Sequence, residues 1–291
     1  MLCNLCPRRC NIDRNKSVGF CGMTDEIVVS KIMLHMWEEP PVSYKNGSGA
    51  IFFSGCSLRC VYCQNKEISH SPQGKVFSEK DLAEEMLKLQ ELGAHNINLV
   101  TPTHFSDKIR SCLDLIKGKL KIPIVYNTSG YELDEEIEKM RDYVDVFLTD
   151  IKYFTPEISK KYSSCPDYYK YAKSSFAKML SICPEVIIED GVIKKGVILR
   201  HLVLPSLRIE SIKILEDIAK DFDVTKFNLS LMSQYTPEFC GIKYKELKRK
   251  ITTFEYQSVL ERAIELGFCG YMQEKTSATT KYTPNFKGDN I

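Results

Sequence analysis

Three cysteines that follow a short apolar run constrain this chain more than any other feature. Cys56, Cys60 and Cys63 have the spacing C-x3-C-x2-C and come directly after the apolar residues 50–53. An apolar run of this length predicts a buried strand, so the cysteines are expected on the loop where that strand ends. Thiolates are the ligands that iron–sulfur clusters prefer. Three of them on one loop would bind three irons of a [4Fe–4S] cube and leave the fourth iron open to an outside ligand.

The cysteines are numerous for a protein of a reducing compartment, where we expect this chain to reside. The chain has 12 cysteines in 291 residues, and seven of them fall in two clusters within the first 63 residues. Disulfides are rare in such a compartment, so the clusters favour metal binding. The start of the chain lacks the apolar core of a signal peptide, and no apolar stretch is as long as a membrane span. A net charge of +2 gives no indication of a nucleic-acid partner. We therefore expect a cytoplasmic protein.

The second cysteine cluster lies in residues 1–22 and consists of Cys3, Cys6, Cys10 and Cys21. So short and polar a segment cannot form a core of its own, and a bound metal is expected to stabilise it. Four thiolates saturate either a tetrahedral zinc ion or a second [4Fe–4S] cluster, and the spacing does not decide between them. The alternative is four free thiols in a mobile arm.

From residue 50 onward, apolar strand patterns alternate with amphipathic helix patterns, and such alternation predicts parallel strands joined by right-handed crossovers. Six units are too few for an eight-fold barrel. The sequence therefore predicts an α/β fold, a partial (β/α)6 TIM-like barrel with an N-terminal Cys-rich extension. The predicted strands are residues 50–53, 97–100, 122–126, 144–148, 197–204 and 227–232. The predicted division is a metal-binding segment and connector at 1–48, the barrel at 49–272 and a tail at 273–291.

Polar residues collect where these strands are predicted to end, which is where parallel α/β sheets bind ligands. Taken singly, a histidine here is typically structural, and a lone acid–base pair is typically a surface pair. Taken together, the polar residues at these strand ends face the open iron and predict a ligand pocket. His35, Glu38 and Glu39 lie in a proline-bounded connector and are not assigned to it. The residues of the predicted rim are Thr101, Pro102, Thr103, His104, Asn127, Asp150, Lys152, Arg200, His201, Gln234 and Tyr235.

The cysteine spacing is the signature of the radical S-adenosylmethionine (radical SAM) enzymes, and the chain resembles them over most of its length. Tyr62 before the last cysteine, and Gln64 with Asn65 after it, are similar to the activating enzymes of glycyl-radical proteins. Within that family the chain resembles the pyruvate formate-lyase-activating enzyme homologues (the PflX-like group). The segments that carry this resemblance are residues 6–10, 12–14, 19–22, 53–56, 96–105, 126–128 and 200–205, Asp150 with Lys152, Gln234 with Tyr235, and Gln273 with residues 282–286.

The resemblance implies two cofactors, a [4Fe–4S] cluster on Cys56, Cys60 and Cys63 and S-adenosylmethionine on its open iron. One departure concerns the turn after the second strand, where residues 101–104 replace the family's Gly-Gly-Glu-Pro-like turn. Carbonyls on this proline-stiffened turn could hold the amino group of S-adenosylmethionine equally well. The departure therefore leaves the expected cofactor binding intact and bears on which substrate is activated. The expected cofactor-binding residues are Tyr62, Thr101, Thr103, His104, Asn127, Asp150, Lys152, Arg200 and Gln234.

The implied function is reductive cleavage of S-adenosylmethionine, without oxygen, to a 5′-deoxyadenosyl radical that abstracts hydrogen from a substrate. A glycine of a glycyl-radical enzyme is the first candidate substrate, and a small molecule, a peptide or RNA are alternatives. No basic stripe with interleaved aromatics supports RNA. A different class of function is an iron–sulfur electron-transfer protein, but such a carrier gains nothing from an open iron. The implied partners are S-adenosylmethionine, an electron donor such as flavodoxin or ferredoxin, and a protein substrate.

Overall fold

In the part of the chain that the structure describes, ten strands form one mostly parallel sheet. The computed structural model describes residues 2–240, 243–273 and 283–286. In that part of the chain the strands are β1 (Ile27–His35), β2 (Ser48–Phe53), β3 (Lys75–Phe77), β4 (Ile97–Val100), β5 (Ile124–Thr128), β6 (Val146–Asp150), β7 (Ile187–Glu189), β8 (Val192–Leu202), β9 (Asn228–Met232) and β10 (Gly270–Met272).

The strand order is β10-β9-β8-β6-β5-β4-β2-β1-β3, with β7 paired to β8 at one side. The six strands β2, β4, β5, β6, β8 and β9 pair in parallel along this path. Each overlaps one of the six predicted strands, although most of the bounds differ. This confirms the predicted α/β partial barrel with its Cys-rich N-terminal extension. The short strands β3, β7 and β10 were not predicted, because three residues are too few for a recognisable pattern.

Helices cover the outer face of the sheet. The Ser78 side chain accepts a hydrogen bond from the Asp81 backbone N–H and so caps the helix that begins at residue 79. Among the described residues, every helix is too short or too polar to cross a lipid bilayer. The helices are α1 (Pro40–Ser43), α2 (Lys66–His70), α3 (Glu79–Glu91), α4 (Ser106–Leu115), α5 (Asp134–Lys139), α6 (Pro156–Ser163), α7 (Tyr168–Ile182), α8 (Arg208–Asp221) and α9 (Thr253–Glu265).

The two-residue period of the strands decides which side chains enter the barrel interior. In β8, Ile198 packs with interior residues of the neighbouring strands, whereas Leu199 belongs to the core beneath the helices. Arg200 therefore faces the interior, and His201 faces outward against α8. The register then aligns Asp150 with Arg200, both at the end where the cysteine loop follows β2.

The segment before the barrel is part of the same sheet. β1 runs antiparallel to β2, with Val29 beside Phe53 and His35 beside Ser48. The end of β1 therefore lies at the opposite end of the barrel from the cysteine loop, and the connector after it passes beneath the interior. Most of the predicted tail lies outside the described residues, Tyr282 included. Of the part that is described, Phe286 packs edge-on against Phe52 with ring centroids 5.5 Å apart.

Truncating a side chain in the core beneath the helices should destabilise the whole barrel. Leu199 is fully buried, and Leu199→Ala should lower the free energy of unfolding by about 2–5 kcal/mol, because it removes buried methyl groups and leaves a cavity. Leu115→Ala is the matched control, since Leu115 is 54% exposed; its effect should stay within about 0.5 kcal/mol. Urea unfolding followed by circular dichroism measures both. Equal effects would contradict this packing.

Candidate active site

The cysteine loop begins where β2 ends, and its three thiols face one cavity. The Leu58 backbone N–H donates to Cys56 Sγ at 3.4 Å, and Ser163 Oγ donates to Cys60 Sγ at 3.1 Å. Such N–H···S and O–H···S bonds stabilise thiolates and are one way a protein tunes an iron–sulfur cluster. The loop therefore offers sulfur ligands whose charge is already partly compensated.

The pKa values of Cys56 and Cys63 are raised by burial and by their neighbouring thiols. Burial raises the pKa of Cys56 to about 12, and the neighbouring Cys60 and Cys63 add to that rise. Burial and Cys60 raise the pKa of Cys63 as well. Buried thiols held this close gain most from a cation that displaces their protons, and the donor set is the one that iron–sulfur clusters use. No three Cys, His, Asp or Glu side chains of the described chain converge as they would around a single metal ion. A cube binds each thiolate through a separate iron and does not require that convergence.

A cluster of charges lies across the cavity from the cysteine loop. Arg200 Nε donates to Asp150 Oδ1 at 2.8 Å, and Lys152 Nζ lies 2.5 Å from Asp150 Oδ2. Burial works to raise the pKa of Asp150, but the two cations outweigh it and hold this pKa below its usual value. Burial works to lower the pKa of Lys152, but Asp150 and Cys60 outweigh it and keep this pKa above its usual value. All three side chains are therefore charged.

Glu38 joins this cluster from beneath the barrel, which the sequence did not predict. Its Oε2 lies 3.4 Å from Arg200 Nη1, and its Oε1 accepts from Asn98 Nδ2 at 2.9 Å. Arg200 Nη2 also donates to Asn127 Oδ1 at 2.5 Å. Burial raises the pKa of Glu38, whereas Arg200 opposes the rise. In the sequence, the acidic pair Glu38 and Glu39, which precedes two prolines, is the feature that could have suggested a functional role for Glu38.

The cavity between the thiols and the charges has a volume of about 170 Å³. It brings together most of the residues predicted from the sequence. Tyr235 also lines it, although its hydroxyl donates to the Leu247 carbonyl at 2.5 Å. The predicted residues along its wall are Cys56, Cys60, Tyr62, Cys63, Thr101, Asn127, Asp150, Lys152, Arg200 and Gln234.

Four residues of the predicted rim lie outside this wall, namely Pro102, Thr103, His104 and His201. Thr103 donates to Glu132 Oε1 at 2.5 Å, and the ring of His104 contacts the Ser54 carbonyl through Nε2 at 2.6 Å. His201 Nε2 lies 2.8 Å from Ser211 Oγ of α8. Thr103 and His104 support the strand ends from behind, and His201 anchors a helix.

Thr101 adopts an unusual backbone conformation at the cavity wall. Its φ of 61° is in the left-handed region, which a β-branched residue rarely occupies. The strained turn is held by the Thr101 N–H, which donates to the Asn127 carbonyl at 2.9 Å, and by the Phe105 N–H, which donates to the Pro102 carbonyl at 2.8 Å. Strain of this kind concentrates at binding sites, where the surrounding structure enforces it.

A larger cleft of about 560 Å³ opens beside the cavity and shares Gln64 with it. Lys66 and His70 of α2 form one side, and Cys240 with residues 283–286 forms another. The cleft lies next to the cysteine loop, so a molecule bound in it would lie beside the cavity.

The N-terminal cysteines also come together. Cys6 and Cys21 are buried, whereas Cys3 and Cys10 are partly exposed, and all four are free thiols. A Cβ atom on Gly19 would lie 3.4 Å from Cys21 Sγ and 3.6 Å from Cys10 Sγ. Burial raises the pKa of Cys6 to about 12, and Cys21 and Cys10 add to the rise. Burial likewise raises the pKa of Cys21, with further contributions from Cys3 and Cys10.

Comparison with known proteins gives three findings. A model of the radical SAM superfamily matches residues 50–188. "Uncharacterized protein MJ0674" of Methanocaldococcus jannaschii is 31% identical over 271 residues, which cover 90% of this chain and 74% of that protein. The crystal structure of a radical SAM methyltransferase from Sphaerobacter thermophilus superposes with a TM-score of 0.52 at 11% identity, covering 78% of this chain and 66% of that one. This chain thus spans just under two thirds of the methyltransferase, and at that identity the likeness concerns the fold alone.

Glu132, which supports the cavity wall through Thr103 and Thr128, should make stability depend on pH. Burial raises its pKa from 4.5 to about 7. The folded state therefore keeps this proton up to about pH 7, whereas the unfolded state releases it near 4.5, so stability falls as pH rises between these values. Glu132→Gln should flatten that decline in urea unfolding measured from pH 4.5 to 8. The control is Glu135→Gln, at an exposed carboxylate that pairs with Arg9 at 3.6 Å. A Glu132→Gln profile parallel to that of the wild type would contradict this.

Proposed function

The chain belongs to the radical SAM superfamily, and we propose that it cleaves S-adenosylmethionine reductively and uses the resulting radical to abstract hydrogen from a substrate. The observation that carries this proposal is the single cavity that joins the thiols of Cys56, Cys60 and Cys63 to the charges of Asp150, Lys152 and Arg200. Radical chemistry on S-adenosylmethionine is general to the superfamily.

We assign the three thiols of the cysteine loop to a [4Fe–4S] cluster. When bound, that cluster supplies the electron that splits S-adenosylmethionine into methionine and the 5′-deoxyadenosyl radical. The chain's own contribution is to hold the reactants and exclude water. Tyr62 helps to exclude water. Its ring lies edge-on to those of Tyr153, Tyr162 and Tyr235, at centroid distances of 6.2–6.4 Å. This aromatic packing closes one side of the cavity.

The charge cluster suits the two ends of the methionine moiety. Lys152 and Arg200 are cations in a site of low exposure, where hydrogen bonds to a carboxylate are strong. Asp150 holds both cations in place and still offers acceptor capacity to an ammonium or to ribose hydroxyls. The strained turn at Thr101 adds backbone carbonyls beside them. Thr103 and His104 are positioning residues in this proposal, because they support the turn from behind.

We propose that the substrate approaches through the larger cleft, since it shares Gln64 with the cavity. A glycine of a glycyl-radical enzyme remains the first candidate, and its support is the resemblance of the cysteine loop and of the Asp150–Lys152 pair to activating enzymes. A small molecule or a free peptide is the alternative. We also propose a cytoplasmic location, since none of the described cysteines is paired in a disulfide.

An iron–sulfur electron carrier is the competing function from another class. The charge cluster favours the enzyme, because a carrier has no use for buried Asp150, Lys152 and Arg200 in front of its cluster. Buried charges are expensive to desolvate, so they are expected where a charged ligand needs them.

The cysteine loop should be essential for 5′-deoxyadenosine formation. Anaerobically reconstituted wild type, given dithionite and S-adenosylmethionine, should form 5′-deoxyadenosine, measured by liquid chromatography. Cys60→Ala should abolish the product, because two remaining thiols cannot hold the cube. Cys269→Ala, at an exposed cysteine remote from both clusters, should retain it. Wild type that carries a cluster but forms no product would favour the electron carrier instead.

Asp150→Asn should weaken S-adenosylmethionine binding by about tenfold or more, since an amide cannot balance Lys152 and Arg200. Equilibrium dialysis against labelled cofactor measures this, with iron content as the check that the cluster is still bound. Asp221→Asn, on the exposed end of α8, is the matched control. Unchanged affinity in Asp150→Asn would remove this carboxylate from the cofactor site.

The substrate class can be tested by isotope transfer. Cells grown in deuterated medium supply extracts that are separated by size before being added to unlabelled enzyme. A protein substrate should transfer deuterium to 5′-deoxyadenosine only from the large fraction, whereas a small molecule should do so from the filtrate.

A further inference from the structure

The N-terminal cysteine segment (residues 2–22) is docked directly on the cysteine loop. The Cys56 backbone N–H donates to the Cys21 carbonyl at 3.3 Å. Cys21, a candidate ligand at the N-terminal site, is thus hydrogen-bonded to Cys56, a candidate ligand on the cysteine loop. Their sulfur atoms are connected through the side chain and N–H of Cys56, this hydrogen bond, and the carbonyl and side chain of Cys21.

The position of Gly55 shows how closely the two segments approach. Its φ is 82°, and a Cβ atom there would lie 2.6 Å from the Cys21 carbonyl oxygen and 2.5 Å from Met23 Cγ. Any side chain at residue 55 would force the segments apart, so glycine permits the contact.

Two arginines fix the segment in this place. Arg8 donates to the Ser57 carbonyl at 2.8 Å, and to the carbonyls of Ser163 and Ser164 at 2.9 and 2.6 Å. Arg14 is almost fully buried and donates to the His104 carbonyl at 2.5 Å. The segment is therefore tied both to the loop and to the turn after β4.

We propose that Cys3, Cys6, Cys10 and Cys21 hold a [4Fe–4S] cluster that passes electrons to the cluster on Cys56, Cys60 and Cys63. This inference rests on the proposed function, because it names the route by which that cluster is reduced. A low-potential one-electron donor protein reduces the N-terminal cluster, which is reoxidised as it gives the same electron to the second cluster. Cleavage of S-adenosylmethionine then consumes that one electron.

The exposure of the two sites fits this direction of transfer. Cys3 and Cys10 are partly exposed, and the Phe20 N–H donates to Cys10 Sγ at 3.3 Å. Electron tunnelling falls steeply with distance, and the contact at Cys21 keeps the distance to the second cluster short.

A structural zinc ion is the alternative occupant, and it would be redox-inert. Metal analysis and electron paramagnetic resonance of anaerobically reconstituted full-length protein decide between them. The proposal expects about eight irons per chain and no zinc. In the dithionite-reduced protein, the signals of the two clusters should be broadened by their mutual magnetic interaction. One zinc with about four irons, or two clusters without interaction, would overturn the proposal.

A double variant tests the transfer itself. Cys3→Ala/Cys10→Ala removes two partly exposed ligands, and Cys269→Ala is the control. Iron should fall to about four per chain, and the remaining signal should lose its broadening and still respond to S-adenosylmethionine. Stopped-flow reduction of that remaining cluster by reduced ferredoxin should slow at least tenfold relative to the control. Equally fast reduction would overturn the proposal.

Failure of this inference is distinguishable from failure of the proposed function. Wild type that forms 5′-deoxyadenosine with dithionite but binds zinc at its N-terminus refutes only the relay. Wild type that shows two interacting clusters but never forms 5′-deoxyadenosine refutes the proposed function instead. The wild-type measurements require no variant, so a variant that fails to fold leaves the test intact.

Discussion

The pairing of Asp150 with Arg200 across neighbouring parallel strands is the interaction on which the site depends. The register of β6 and β8 places the two residues side by side, and their side chains are joined at 2.8 Å inside the barrel. A buried charge without a partner would be strongly destabilising, so the ion pair requires the register to be kept. Lys152 and Glu38 then attach to the two ends of this pair. The same register that closes the sheet thereby assembles a charged wall opposite the cysteine loop.

Much of this arrangement could be predicted from the sequence, because it depends on local patterns. Apolar runs locate the six parallel strands, and the end of each strand locates Thr101, Asn127 and Asp150 at one rim. The two-residue period could also have separated Arg200 from His201, since adjacent strand residues face opposite sides. Only Arg200 enters the cavity. Glu38 could not be placed in this way, because it reaches the interior from the far end of β1, through contacts that no periodicity reveals.

The position of the N-terminal segment is even harder to predict from local sequence patterns. Its cysteine spacing predicts a metal site, but nothing in that spacing says where on the barrel the site lies. The position is set by contacts distant in sequence, such as Arg8 with the carbonyls that end α6, and by the absence of a side chain at Gly55. Such contacts depend on the finished fold. In the structure, Gly55 is the point where the two segments approach most closely, and nothing in the sequence alone indicates this contact.

The balance of charge in the barrel interior bears on what the site accepts. Within the described part of the chain, the interior charges are the carboxylates of Glu38, Glu39 and Asp150 and the cations of Lys152 and Arg200. Burial raises the pKa of both glutamates, while Arg200 opposes that rise. One negative charge is therefore left over, to be met by a proton or by a cationic ligand. S-adenosylmethionine carries a sulfonium, an ammonium and a carboxylate, a net charge of +1. A cluster on the three thiolates of Cys56, Cys60 and Cys63 would add further negative charge to this cavity. A ligand with a net positive charge lowers that excess, which supports the assignment of the cavity to it.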